Sequence, residues 1–181
     1  TMLAAQCRYT LDDVLEIRVF REYCLKHPRN KTQALCEQFL LDFGEQTASV
    51  YLYGDASGSK RDTRQAQSDY DIAASVLRSK VSNKSNRVQR SNPEVRKRVL
   101  FMNALFEGKI PGARLTVDAS CVNLIRDLLH LKEDANGGKI KPKKTENGVS
   151  FEDMGHTSDA LEYLVTTILR NEFAAFEKIL K

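Results

Sequence analysis

Val50-Tyr51-Leu52-Tyr53-Gly54-Asp55-Ala56-Ser57-Gly58 is the stretch on which the reading of this chain turns. β-branched, aromatic and aliphatic residues run straight into a glycine–aspartate turn, which is the pattern of a strand. Bulky apolar residues at consecutive positions predict a strand buried on both faces, hence an inner strand with helices on either side. An aspartate ending such a strand stands at the carboxyl edge of the sheet, where open α/β folds place their ligands. Asp55 has a second reading as a turn aspartate bonded to its own backbone.

Upstream, Met2 to Thr10 reads as a strand, Leu11-Asp12-Asp13 as a turn and Val14 to Leu25 as a second strand, together a hairpin. Leu15, Ile17 and Val19 alternate with Glu16 and Arg18, the period of a half-buried strand. His27-Pro28-Arg29-Asn30 ends it. A helix follows, capped by Asn30 or Thr32, with Leu35, Cys36, Phe39, Leu40 and Phe43 on one face and Gly44 at its end.

Downstream, Ser59 to Gln67 is a polar, basic loop. A phosphate-binding loop needs glycine, four residues, then Gly-Lys-Ser/Thr, but here Ser59 stands five positions after Gly54 and Lys60 precedes Arg61. That spacing excludes an ATPase motor within the chain. Ser68-Asp69-Tyr70-Asp71 predicts a capped helix carrying Ile72, Val76 and Leu77. Ser79 to Asn86 reads as a loop and Arg87 to Arg90 as a short strand. Asn92-Pro93-Glu94 opens another helix, with Val95, Val99, Met102, Leu105 and Phe106 inward. Arg96, Lys97 and Arg98 are expected on its outer faces, either solvated or against DNA.

Arg114 to Val117 predicts a strand ending at Asp118, and Asn123 to Leu131 a helix. Asp118 repeats the strand-end position of Asp55, as a metal ligand or as a helix cap. Asn136-Gly137-Gly138 and Asn147-Gly148 bracket a lysine-rich run with Lys139, Lys141, Lys143 and Lys144, which predicts a protruding hairpin or loop. Such lysines either guard a strand edge or meet a phosphate backbone as point charges. A last long helix follows His156-Thr157-Ser158-Asp159-Ala160-Leu161, with Thr157 or Ser158 as N-cap. Asp159 in its first turn suits the helix dipole, and His156 reads as a loop histidine.

The chain of 181 residues is 41% hydrophobic and 29% charged, within the usual span of one domain. Its net charge of +4 is modest, so any grip on a polyanion must come from local patches. No apolar run reaches membrane length. Cys7, Cys24, Cys36 and Cys121 show no paired spacing and read as reduced, buried thiols, which argues against a zinc site or a disulfide frame.

Taken in order, the pieces resemble a known family. A hairpin, a helix, a strand ending Tyr-Gly-Asp55-Ala-Ser-Gly, the Ser68-to-Ile72 helix start, Arg90-Ser-Asn-Pro-Glu-Val-Arg96, the Leu124-to-Leu128 helix and His156-Thr-Ser-Asp159-Ala resemble the C-terminal nuclease domain of the large terminase subunit of tailed bacteriophages. The resemblance covers most of the chain from Leu15 onward. It implies an α/β fold of ribonuclease H-like type, with a mixed central sheet flanked by helices. It also implies that residues 1–181 form a single nuclease domain, a fragment of a larger ATPase–nuclease chain. Of the family's three acidic site residues, Asp55 corresponds to the second and Asp159 to the third. The first would fall just before Thr1, so the first catalytic strand is expected to be missing or incomplete. Glu22, at the end of the hairpin, reads as a surface ion-pair partner or a group near the site.

What the resemblance implies chemically is endonucleolytic hydrolysis of double-stranded, concatemeric viral DNA during genome packaging. Two Mg²⁺ or Mn²⁺ ions about 4 Å apart activate water and stabilise the leaving oxygen, and carboxylates are the hard ligands that hold them. Asp55 and Asp159 are the expected ligands, Asp118 a further candidate, and His156 an outer ligand or proton carrier. Lys139, Lys141, Lys143, Lys144, Arg96 and Arg98 are the expected DNA contacts. Implied partners are the N-terminal ATPase domain, the small terminase subunit and the portal, with no membrane, in the host cytoplasm. Two alternatives stay open: a catalytically incomplete nucleic-acid-binding or motor-docking module of the same fold, and a junction resolvase-like nuclease.

Overall fold

The computed structural model describes residues 1–60, 67–82, 84–146 and 148–180. It is a mixed α/β structure with six α-helices and small sheets among those residues. The chain divides into two compact units, one of Tyr23–Asn92 with Thr1, the other of Met2–Glu22 with Pro93–Lys181.

The second unit holds the main sheet. β1 (Met2–Tyr9) and β2 (Leu15–Tyr23) are hydrogen-bonded neighbours, and β3 (Ala113–Val117) lies on the other side of β2. So short a link between β1 and β2 permits only an antiparallel pair. Its turn is closed by Thr10 N–H donating to the Val14 carbonyl, 2.9 Å. β2 and β3 run parallel with Ile17 opposite Leu115 and Val19 opposite Val117. The predicted alternation holds: Ile17 and Val19 are fully buried while Arg18 is exposed.

Four helices complete this unit: α3 (Val95–Phe106), α4 (Val122–His130), α5 (His156–Ile168) and α6 (Arg170–Ile179). α3 packs on β3 and α5 on β1. Ile17, Val19, Phe101, Leu124, Leu161 and Val165 form the centre of the core. Phe101 meets Phe173 and Phe176 edge-on, at 5.1 and 5.4 Å between ring centres. Each such pair adds about 0.5–1.5 kcal/mol beyond the burial itself. Two hairpins stand between α4 and α5: β4 (Lys132–Glu133) with β5 (Lys139–Ile140), and β6 (Lys143–Glu146) with β7 (Val149–Glu152). The lysine run, expected as one protruding hairpin or loop between two turns, is instead divided between these two hairpins, Lys139 in the first and Lys143 and Lys144 in the second; Asn147 lies outside the described residues.

The first unit is built on α1 (Thr32–Phe43) and α2 (Asp69–Val76), packed against each other. Leu35, Cys36, Ala73, Leu77 and Tyr23 are its buried apolar residues. Tyr23 meets Phe39 edge-on and its hydroxyl donates to Asp42, 3.1 Å. Ser68 caps α2 in a full capping box with Asp71, as the sequence predicts. Residues 61–66 of the expected basic loop, and Asn83 of the loop after α2, lie outside the described residues.

Several expectations are corrected. Val50 to Tyr53 is extended but is not an inner strand. Its single ladder contact is a parallel bridge between Leu52 and Asn86, and Tyr51 is 49% exposed. The cause lies in its partner: the segment bonds Lys80, Ser85 and Arg87, which belong to a loop that offers no further register. Arg87 to Arg90 is accordingly no strand, and Arg87 stacks on Tyr51 from the surface. α1 has Lys31 rather than Asn30 or Thr32 at its N-cap; Thr32 is already the first helical residue, and its Oγ1 donates to Asp69, 2.8 Å. Gly44 ends α1 in right-handed geometry. The last helix breaks at Leu169 into α5 and α6. Cys7 and Cys24 are exposed, and only Cys36 and Cys121 are buried.

On α3, Arg98 is buried at 2% exposure and Phe106 is 46% exposed, the reverse of the expected faces. Arg98 stands three and four residues before the buried Phe101 and Met102, so the helical period carries it inward.

Candidate functional site

The motif residues gather in two places, one in each unit. In the first, Asp55 precedes a single 3-10 turn, Ala56–Ser59, and caps it: its Oδ1 accepts from Ser57 N–H, 2.7 Å. The same oxygen accepts from Asn92 Nδ2, 2.7 Å, while Asn92 Oδ1 accepts from Ala56 N–H, 2.8 Å. Tyr70 on α2 donates its hydroxyl to the Asp55 carbonyl, 2.8 Å. The two glycines of the motif make room for that ring. A Cβ at Gly54 would fall 2.3 Å from the Tyr70 hydroxyl, and one at Gly58 would fall 3.0 Å from the ring. Three motifs far apart in sequence, around Asp55, Tyr70 and Asn92, are therefore one loop-holding cluster. Asp55 is both a turn cap and a half-buried carboxylate.

In the second unit, Asp159 lies in the first turn of α5. The N-terminus of that helix is capped from outside. Gly155 occupies the N-cap with φ 97°, and Asp127 of α4, 3% exposed, accepts from Thr157 N–H, the Thr157 hydroxyl and Ser158 N–H. Neither Thr157 nor Ser158 is the cap. Asp127 explains why the Leu124-to-Leu128 motif and the His156-to-Ala160 motif occur together. One supplies the carboxylate that orders the other, which neutralises the helix dipole at that end.

Around Asp159 the charges are densely paired. Its Oδ1 takes Lys139 Nζ at 2.8 Å and Arg98 at 3.6 Å; its Oδ2 takes Lys141 Nζ at 2.8 Å. One turn further along α5, Glu162 pairs with Arg98 Nε at 3.0 Å and with Lys139. Lys139 also donates to Ser158 Oγ, 3.0 Å, so its three N–H groups meet three acceptors. Lys141 reaches Glu152 at 3.2 Å, and His156 Nε2 lies 3.6 Å from that same carboxylate. The Arg98 guanidinium also donates to the Pro93 carbonyl and covers the Tyr163 ring.

Burial pushes the Asp159 carboxyl up, but the hydrogen bonds and charges of Lys139 and Lys141 outweigh it and hold the group below the usual aspartate range. Burial pushes Glu162 up, against the pull of Lys139 and Arg98. Three carboxylates (Asp159, Glu162, Glu152) face three cations (Arg98, Lys139, Lys141), leaving the cluster neutral. As arranged, these residues do not fit a divalent ion, because both Asp159 oxygens already bind ammonium groups. No group of three or more His, Cys, Asp or Glu poised for a metal occurs among the described residues.

The other sequence-predicted residues separate. Asp118 Oδ1 accepts from Ser120 N–H and Oγ, and Oδ2 meets Arg18 at 3.3 Å, so its carboxylate closes the turn after β3. The backbone and side-chain hydrogen bonds of Ser120, then Arg18, hold its carboxyl below the usual range. Glu22 is neither a surface ion pair nor part of the Asp159 cluster. It caps α4, accepting from Asn123 N–H, Asn123 Nδ2 and Leu124 N–H at 2.8–2.9 Å. Lys139, Lys141 and Arg98, expected on DNA, are turned toward carboxylates. Lys143, Lys144 and Arg96 remain exposed, Lys144 beside Glu146 at 2.8 Å.

Glu162, Asp127, Tyr70 and Asn92 carry roles the sequence reading did not assign. A signal existed for Glu162: it continues the stripe of Ser158, Leu161 and Val165, and an acid on a buried stripe demands a cation. No helix among the described residues is long and apolar enough to cross a membrane. Comparison with known protein families, with curated proteins and with solved structures finds no match.

Proposed function

We propose that this chain is an endodeoxyribonuclease of the kind its motifs resemble, the nuclease part of a large terminase subunit with a ribonuclease H-like fold. In this reading it cuts concatemeric double-stranded DNA in the host cytoplasm, using Mg²⁺ or Mn²⁺. The observation that carries the proposal is the pairing of motifs within each unit. Tyr70 and Asn92 hold the Asp55 loop, and Asp127 orders the helix turn that bears Asp159. A working carboxylate needs such support, since a site left to loop mobility loses its geometry. In this role Asp55 and Asp159 supply hard oxygen donors, and His156, with its side chain 53% exposed, is an outer ligand or proton carrier. The state described holds Asp159 closed by lysines, and no step is drawn through an ion there.

That closure favours a second reading, a nucleic-acid-binding or docking module of the same fold without chemistry. One experiment separates them: incubation of the chain with supercoiled plasmid, linear duplex and, as a third substrate, a four-way DNA junction in Mg²⁺, Mn²⁺ or EDTA. The nuclease reading expects cation-dependent cleavage of plasmid and linear duplex, lost in Asp55→Asn and in Asp159→Asn. Binding without cleavage in either cation supports the module and overturns the nuclease. Cleavage confined to branched DNA would instead favour a junction resolvase.

A further inference from the structure

The lysines around Asp159 are built in. β5 pairs with β4 so that Lys139 stands opposite Glu133, after a turn in which Asp134 accepts from Asn136 and Gly138 N–H, each at 2.8 Å. In extended backbone, residues two apart share a face. Lys139 and Lys141 therefore both reach α5, while Ile140 between them points away and is 50% exposed. The stem of Lys141 lies across Gly155, where a Cβ would come within 2.9 Å of it. The left-handed φ of 97° at that residue independently favours glycine. The side chains of Lys139 and Lys141 are only 8% and 24% exposed, far below a solvated surface lysine.

We infer that Lys139 and Lys141 are the internal counter-ions of Asp159, and that a divalent cation occupies this carboxylate only by displacing them. The choice of a divalent competitor rests on the nuclease reading. Two ammonium groups satisfy both carboxylate oxygens, with the Arg98 guanidinium 3.6 Å away, and a further cation at hydrogen-bond distance would be repelled by all three. Binding must break charge-assisted hydrogen bonds before any metal–oxygen bond forms. The two lysines thereby set the cation affinity of the site without touching the substrate.

The test is Mn²⁺ binding to the 181-residue chain, followed by the electron paramagnetic resonance of free Mn²⁺. Lys141→Gln and the double variant Lys139→Gln/Lys141→Gln are compared with the wild type, each with and without Asp159→Asn. The inference expects the Asp159-dependent affinity to rise about tenfold or more once an ammonium is removed, the equivalent of one charge-assisted bond no longer broken. Lys141→Arg, which keeps the positive charge, should remain near the wild type. Circular dichroism shows whether each variant folds. If Lys139→Gln does not, the more exposed Lys141→Gln carries the test alone. No gain in Asp159-dependent affinity overturns the inference, whether the wild type already binds as tightly or neither protein binds. Plasmid cleavage by the same variants keeps the two proposals apart. Tighter Mn²⁺ binding without cleavage would sink the nuclease reading and leave the lysine exclusion standing; cleavage without any affinity change would do the opposite.

Discussion

At the scale of single residues, buried charge is placed by helical period. Arg98 sits in a run of three basic residues that reads as a solvated face, yet its spacing to Phe101 and Met102 turns it into the interior. There Glu162, Asp159, the Pro93 carbonyl and the Tyr163 ring receive it. Counting charges missed this, while counting positions from the core residues exposes it. Asp127 is the same lesson with the opposite charge: an acid in the inward part of α4, whose partners are backbone amides thirty residues away. No local pattern announces such a partner. Replacing Asp127 by alanine strips three donors at the start of α5 of their acceptor, and should destabilise the protein by about 2–4 kcal/mol. Asp127→Asn, which keeps an acceptor oxygen, should cost less. Urea denaturation checks both, and a loss under about 0.5 kcal/mol for the alanine variant would remove Asp127 from this role.

At the scale of elements, the β1–β2 hairpin and the helices are legible in the sequence, and the lack of strand partners at Val50 to Tyr53 is not. Ile17 and Val19 alternate with charged residues over a strand that has partners on both sides, so pattern and structure agree. Val50 to Tyr53 has equal strand propensity but only one bridge. Propensity measures fit to a pleated, half-buried surface and does not supply that surface. α1 was predicted with its inward face, including Cys36, and this gives a pH test. Burial, then the charge of Glu37, pushes the Cys36 thiol up to about 11. A raised thiol pKa means less thiolate, the reactive form, at any pH below it. At pH 8 the thiolate fraction is on the order of one in a thousand, rising about tenfold per pH unit as for any single titration. Iodoacetamide at pH 8 should therefore modify exposed Cys24 and leave Cys36, at 2% exposure, untouched; Cys7 is exposed, but burial pushes its thiol up as well, so it should react more slowly than its exposure alone implies. Mass spectrometry finding Cys36 alkylated as fast as Cys24 in the folded protein would contradict the packing of α1.

At the scale of the whole molecule, the net charge of +4 conceals how little of the lysine-rich segment is open to a polyanion. The ammonium groups of Lys139 and Lys141 are already engaged with carboxylates, so the expected basic strip of Lys139 to Lys144 narrows to Lys143 and Lys144. The segment was legible in sequence as a lysine-rich run bracketed by turns, but not as one shared between two hairpins. The direction of each lysine was not, because it depends on a strand register and on acids that come later in the chain. Lys143 and Lys144 are neighbours on β6 opposite Glu152 and Phe151, so they leave opposite faces of the hairpin. A DNA backbone approaching one face meets one of them well. Lys143→Ala/Lys144→Ala should therefore weaken binding to linear duplexes of any sequence alike. It should also flatten the dependence of log K on log salt by about one unit, the value of a single phosphate contact. Lys141→Gln should leave that slope nearly unchanged, since its charge is spent on Asp159 and Glu152. Titrations at several salt concentrations decide it. A double variant with the wild-type slope would return β6 to solvent and leave exposed Arg96 as the next contact to replace.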